Sequence, residues 1–250
     1  MKNIKILVLT LILSGLALHF GCKKDEGKPS IKVFTPLSFL NGSNFTDYTD
    51  IITCVNDQYL NLFTNTYTDN GKTIGDLQKP AINDLSIQGS SYNYGPVKPF
   101  HIDPIQNAFL DSLFGRNVSF NSSGGTAYSA FTKVLYSPKK FTLSFTGLNN
   151  TGNAIEVTKS SGFTVSWNPD SNNQKVAVVL AGDSFLRTEF IIDDALGSLS
   201  ITSSDLAQYP IGTLLSIYLA RGNEEYFVSN GNTLAFRIGT IISTTDFLIK

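Results

Sequence analysis

The chain has 250 residues, with 19 Lys+Arg against 20 Asp+Glu and a formal net charge of −1. No basic cluster is longer than Lys139-Lys140, so the electrostatic footprint that nucleic acid requires is missing and no nucleic-acid partner is expected. Only two histidines and two cysteines occur, and charged residues are 16% of the chain. These counts exclude multi-histidine metal sites and match secreted β-rich proteins better than helical cytosolic enzymes.

In chain order, Met1 to Lys5 is a basic n-region and Ile6 to Leu18 an apolar run too short to span a bilayer comfortably, the pattern of an export signal. Gly21 then precedes Cys22. The stretch resembles a bacterial lipoprotein signal, which implies that residues 1–21 are removed and that Cys22 is acylated as the first residue of the mature chain. Lys24, Asp25 and Glu26 resemble the lysine-plus-two-acidics export signal of Bacteroidota lipoproteins sent to the outer face of the outer membrane. Residues 22–30 are otherwise charged, with Gly and Pro and without large apolar side chains, as flexible tethers are.

Residues 31–148 read as an N-terminal β-rich domain. Ile31 to Leu40, interrupted by Pro36, fits an edge strand or extended segment. Tyr48 to Phe63 mixes helical and strand spacing, and Asp69-Asn70-Gly71-Lys72 reads as a tight turn. Ile82 to Tyr94 alternates as a strand, Gln106 to Phe114 is the best helix candidate, stopped by Gly115, and three further strands follow up to Phe145. The polar string Gly147 to Gly152 marks the expected domain boundary.

Residues 149–250 carry short β-type segments at regular intervals: 154–158, 163–167, 175–181, 189–192, 198–201, 213–221, 233–242 and 247–249. Turn-forming stretches such as Asn168 to Asn173 and Ser229 to Asn232 separate them. Phe163 to Asp170, Gly197 to Ile201, Ser204-Asp205-Leu206, Tyr209 to Gly212 and Leu219 to Asn223 resemble the C-terminal immunoglobulin-like module of Bacteroidota cell-surface lipoproteins. That resemblance implies a β-sandwich and supplies no catalytic residue; Asn223, just past the 213–221 segment, stands outside the sheet pattern, so Arg221-Gly222-Asn223 reads either as a turn of that module or as nothing functional.

Candidate chemistry is sparse. Without residues 1–21 the one remaining histidine is His101, beside Asp103, and there is no Gly-x-Ser-x-Gly elbow, so a Ser-His-Asp site has little to build on. The adjacent acids Asp193-Asp194 and Glu224-Glu225 fall in turn-like stretches, where solvation is the expectation. Asn168, Asp170 and Asn172 alternate as oxygen donors but lack the leading Asp, central Gly and closing Glu of a calcium loop, so no metal is assigned. Trp167 ends a Phe163/Val165/Trp167 alternation and is expected in the core. Cys54, in an apolar stretch with no base nearby, is expected to be a small buried hydrophobe. Asp111-Ser112-Leu113 resembles a Bacteroidota O-glycosylation signal. Tyr92 and Tyr94, flanked by small residues, are the candidate ligand surface.

The resulting expectation is an all-β chain of two β-sandwich-like domains in tandem, the second Ig-like, after a lipoprotein signal and short tether. It is a non-catalytic surface lipoprotein of the outer membrane, attached through its lipid and using no cofactor, that serves as a binding or structural module for a glycan or protein ligand. The alternative is a glycan-binding accessory lipoprotein of a polysaccharide-uptake system.

Overall fold

The computed structural model describes residues 35–40, 50–76, 84–87, 90–92, 112–182 and 186–250. These lie within one contact unit, Phe34–Lys250. In the first half the strands are β1 (Asp50–Asn61), β2 (Thr66–Asp76), β3 (Leu85–Ile87), β4 (Ser90–Tyr92), β5 (Arg116–Ser122), β6 (Phe131–Ser137), β7 (Leu143–Thr146) and β8 (Leu148–Asn150). In the second they are β9 (Ile155–Val157), β10 (Phe163–Trp167), β11 (Lys175–Gly182), β12 (Arg187–Asp193), β13 (Ser198–Ile201), β14 (Leu214–Ser229), β15 (Asn232–Thr244) and β16 (Phe247–Ile249). The only helical elements among the described residues are short 3-10 turns, including Pro36–Phe39 and Asp194–Leu196.

The longest strands set the architecture. β14 and β15 form a hairpin whose turn residues Asn230 and Gly231 have φ of 52° and 76°. Two successive positive φ values suit the right-handed twist of the flanking strands, and Asn-Gly is the pair that adopts them most readily. The large sheet runs β2-β1-β15-β14-β16-β9-β8, with β11 also on β14 and β12 on β11. β1 joins β15 in parallel, and β16 joins β9 in parallel. Two smaller sheets, β13-β10-β7 and β4-β3-β5-β6, complete the described residues.

Each small sheet contributes to its own apolar core against the large one. In the first core Ile87, Val118, Phe120 and Phe131 meet Ile52, Cys54 and Phe236 of β1 and β15. Phe120 and Phe131 each place their ring centroid 5.3 Å from that of Phe236. In the second core Phe163, Val165 and Trp167 of β10 meet Val178, Ile217 and Leu219 of β11 and β14. The fold is therefore all-β and sandwich-like, and the long hairpin passes from one core to the other.

This arrangement does not follow the division into 31–148 and 149–250. β1 and β2, from the first range, are strands of the same sheet as β14 and β15, from the second. Leu60 and Phe141 belong to the second core, whereas Leu234, Phe236 and Ile238 belong to the first. Gly147 to Gly152, read as a boundary, contains β8, which pairs with β9 in the large sheet.

Other local differences have physical causes. β1 is a strand whose buried row is Ile52, Cys54, Asn56, Gln58 and Leu60; two polar members spoil the apolar period and leave helix and strand equally legible. Asp69 to Lys72 is not a hairpin turn but lies inside β2. The register there passes from Asp57↔Gly71 to Gln58↔Asp69, leaving Asn70 as the extra residue of an irregularity. Pro36 opens a 3-10 turn instead of interrupting a strand, its fixed φ suiting the first helical position. Of the helix expected over 106–114, residues 112–114 form a turn ended by Gly115 at φ 78°, and the rest lies outside the described residues.

Candidate functional site

Beside the β1–β2 turn, an open cleft of about 330 Å³ is lined by Leu60, Leu62, Asn65, Leu143, Ser144, Phe145, Leu148, Asn150 and Ile155. The turn is held by Asn61, whose Oδ1 accepts from the backbone N–H of Phe63 (2.9 Å) and of Thr64 (3.2 Å). Asn65 follows at φ 52°, a left-handed conformation that asparagine tolerates. On the adjoining strand Tyr67 donates its hydroxyl to Leu143 O (3.1 Å) and accepts from Leu143 N–H (2.8 Å), which stitches β2 to the edge of β7. On the far wall Asn150 Oδ1 accepts from Gly152 N–H at 2.9 Å. The lining is thus apolar with amide and hydroxyl groups at intervals and carries no ionisable side chain. Such a surface can hold an uncharged ligand through van der Waals contact and hydrogen bonds.

The charged groups that sequence reading placed in turns are instead engaged at the junction of the two cores. Arg221 and Asp194 are each 0% exposed and lie 3.2 Å apart. Arg221 Nε donates to Lys139 O, Nη1 to Asn168 O and to both Asp194 oxygens, and Nη2 to Lys140 O and Asn168 Oδ1. Its guanidinium carbon also sits 4.2 Å from the Phe141 ring centroid. Burial lowers the Arg221 pKa, and the Asp194 and Asp170 carboxylates oppose that shift. Asp194 accepts further from Trp167 Nε1 (2.8 Å) and Asn173 Nδ2 (3.0 Å). Fully buried Asp170 accepts from the Tyr136 hydroxyl, Lys139 N–H and Asn172 N–H. Every one of these contacts is internal, so the cluster ties β6, β10 and β14 to the β6–β7 connection, the 168–173 turn and the 3-10 turn Asp194–Leu196.

Asp194 is therefore not a solvated turn acid: it opens the 3-10 turn Asp194–Leu196 with its carboxylate facing inward. Glu224 is likewise within β14, ion-paired with buried Arg237 on β15 and accepting from the Tyr226 hydroxyl. Arg221-Gly222-Asn223 is mid-strand and not a turn. The 168–173 stretch is a connecting turn whose Asp170 is spent on Tyr136 and backbone N–H groups, and no cluster of metal-ligating side chains occurs among the described residues. Trp167, at 5% exposure, and Cys54 are both in the core, and burial pushes the Cys54 thiol up to about 12.

Tyr92 ends β4, the outer strand of its sheet among the described residues. Tyr94, Cys22, Lys24, Asp25, Glu26, His101 and Asp103 lie outside the described residues. Ser112 is exposed and Leu113 is fully buried. The cleft itself escaped sequence reading. Its asparagines are ordinary turn residues, and nothing local says that the β1–β2 turn faces β7 to β9.

Comparison with protein-family models, with curated proteins and with solved structures returns no match.

Proposed function

We propose that this chain is a non-catalytic lipoprotein of the outer membrane, displayed at the cell surface, that acts as a binding module. In this reading Cys22 carries the lipid, Lys24, Asp25 and Glu26 direct the protein outward, and Lys23 to Ser30 separate the folded body from the membrane. The likeness of residues 149–250 to an Ig-like module belongs to the same reading: β10 and β13 face β11 and β14 across Trp167, as the layers of a spacer or presentation domain do.

The observation that carries the binding role is the division of polar chemistry. Arg221, Asp194 and Asp170 are buried in internal contacts, while the cleft beside the β1–β2 turn is lined by neutral side chains. Cell fractionation tests the anchor: Cys22→Ser should release the full chain from membranes with its circular dichroism unchanged, and a variant that stays with the membrane overturns lipidation at Cys22. Replacing Lys24, Asp25 and Glu26 by alanine should preserve attachment and abolish protease accessibility on intact cells.

A second reading, capture of a neutral glycan, draws support from the pairing of Asn65 and Asn150 with Phe145 in the cleft, beside a partly exposed Tyr67. On a glycan array, binding lost in an Asn65→Ala, Asn150→Ala variant assigns the ligand to the cleft, and binding lost only on changing Tyr92 and Tyr94 assigns it to that tyrosine pair. An array with no reproducible signal removes the glycan reading and leaves the lipoprotein reading in place.

A further inference from the structure

β1 and β15 run in parallel register with Asn56 beside Thr240, and β14 sets Arg221 directly opposite Thr240. Residues paired in this way project to one face, so the three side chains form a polar row across the large sheet. Cys54 and Ile238 of the first core lie one step along the strands, and Gln58 and Ile242 lie one step the other way. The row is therefore the interior boundary between the two cores.

Asn56 and Thr240 are fully buried. Neither carboxamide atom of Asn56 nor the hydroxyl of Thr240 has a hydrogen-bond partner in the protein. The end of β6 and the residues after it pass over β14 here: Tyr136 O accepts from Asn223 Nδ2 at 2.8 Å, one step along β14 from the row, and Lys139 O accepts from Arg221 Nε, in the row, at 2.9 Å. Between them sits Ser137, also fully buried, its hydroxyl likewise without a partner. Arg221 does not supply the missing contacts, since its fork is directed at Lys139 O, Lys140 O, Asn168 and Asp194.

We infer that this junction is a built internal hydration site, in which at least one ordered water bridges Asn56 and Thr240. Buried polar groups in native proteins rarely go without a partner, and those the chain cannot satisfy are satisfied by ordered water. The chemistry suits water, because Asn56 offers both donors and an acceptor while the two hydroxyls serve as either. A metal cation suits it less well, because the Arg221 guanidinium stands in the same row.

The test is a crystal structure of the full chain at a resolution that shows ordered solvent. A water within hydrogen-bond distance of both Asn56 and Thr240 is the expected result. Direct bonding of Asn56 to Thr240 or Ser137 with no density between them overturns the inference, and so does density ringed by oxygens at metal-ligand distances. In solution, magnetic relaxation dispersion of the water nuclei counts long-lived internal waters. An Asn56→Leu, Thr240→Val variant should lose at least one of them, and Thr240→Val alone provides the same readout if the pair does not fold. A count equal to that of the unaltered protein overturns the site.

Discussion

The ring of Phe39 fills the space that a side chain at Gly222 would need, and it fills the space over the cross-strand partner Gly239 as well. A β-carbon on Gly239 would come within 2.5 Å of Phe39 Cζ, and one on Gly222 within 2.7 Å of Ile238 O. The paired glycines form a notch in the central hairpin, and the 3-10 turn Pro36–Phe39 covers it with an aromatic ring. This is the sheet's way of recovering the packing that glycine omits. Phe39→Ala should lower stability by about 2 kcal/mol in urea denaturation, the scale of burying one large apolar side chain. Gly222→Ala should also destabilise, and the double variant by less than the sum, because removal of the ring relieves part of the clash. Strict additivity would separate the ring from the notch.

Arg221 and Asp194 make a second prediction. Asp194→Asn removes the carboxylate bonded to the buried guanidinium, leaving only the charge of Asp170 nearby, and should cost about 3 kcal/mol. Arg221→Lys should not restore the unaltered stability, because an ammonium cannot reach Asn168, Lys139, Lys140 and Asp194 together with the planar fork that a guanidinium has. Denaturation followed by Trp167 fluorescence reads both changes, since the Trp167 indole donates to Asp194. A Lys variant as stable as the original would show that charge alone, and not geometry, holds the junction.

What the sequence discloses divides along the same lines. Strands whose buried side is purely apolar, such as Phe163–Trp167 with its alternating Phe163, Val165 and Trp167, are legible to the residue. The β14–β15 turn is legible from Asn230-Gly231. Strands with polar groups on their inward face are legible only in part: Asn56 and Gln58 break the period of β1, and the segment read as 213–221 stops at Arg221 although β14 continues to Ser229. Asn223 reads as lying outside the sheet for that reason, although it is mid-strand and Arg221 beside it is fully buried. The cleft is invisible for a different reason, that Asn65 and Asn150 come to line one cleft only through tertiary packing. The parallel β1–β15 pairing leaves no local mark either, since no turn connects the two strands.

Cys54 gives a prediction about reactivity and pH. Its thiol is buried and its pKa is raised from 9.0 to about 12 by desolvation. In a Cys22→Ser background it is the only thiol in the chain. It should resist alkylation in the native protein and react once denaturant is added. The folded pKa lies above the unfolded one, so the native state holds its proton more tightly. The resulting stability is fully present below about pH 9 and is lost as pH rises toward 12. A Cys54→Ala variant should lose stability less steeply over that window. Rapid labelling of the folded protein at neutral pH would place Cys54 outside the first core.

The last prediction concerns the halves. A fragment beginning at Thr151 retains β9 to β16 but loses Leu60, Phe141 and Leu143 from the second core. It also loses β1, whose register along β15 runs from Asp50↔Leu234 to Leu60↔Thr244. That exposes one edge of β15 and uncovers Leu234, Phe236 and Ile238, the inner face of the first core. Arg221 loses the Lys139 and Lys140 carbonyls and the Phe141 ring while remaining opposite Asp194. Apolar surface and an under-satisfied buried charge are left together, and about 100 residues have little stability to spare for either. The fragment should therefore be unfolded or aggregated, with Trp167 emission red-shifted and open to quencher. The full chain should show a blue-shifted, protected tryptophan, in keeping with the 5% exposure of Trp167. Adding residues 34–150 as a separate chain should restore the blue-shifted spectrum if the two pieces reassemble around β1 and β15. A soluble Thr151–Lys250 fragment whose tryptophan spectrum and quenching match the full chain would show that the second core closes without β1.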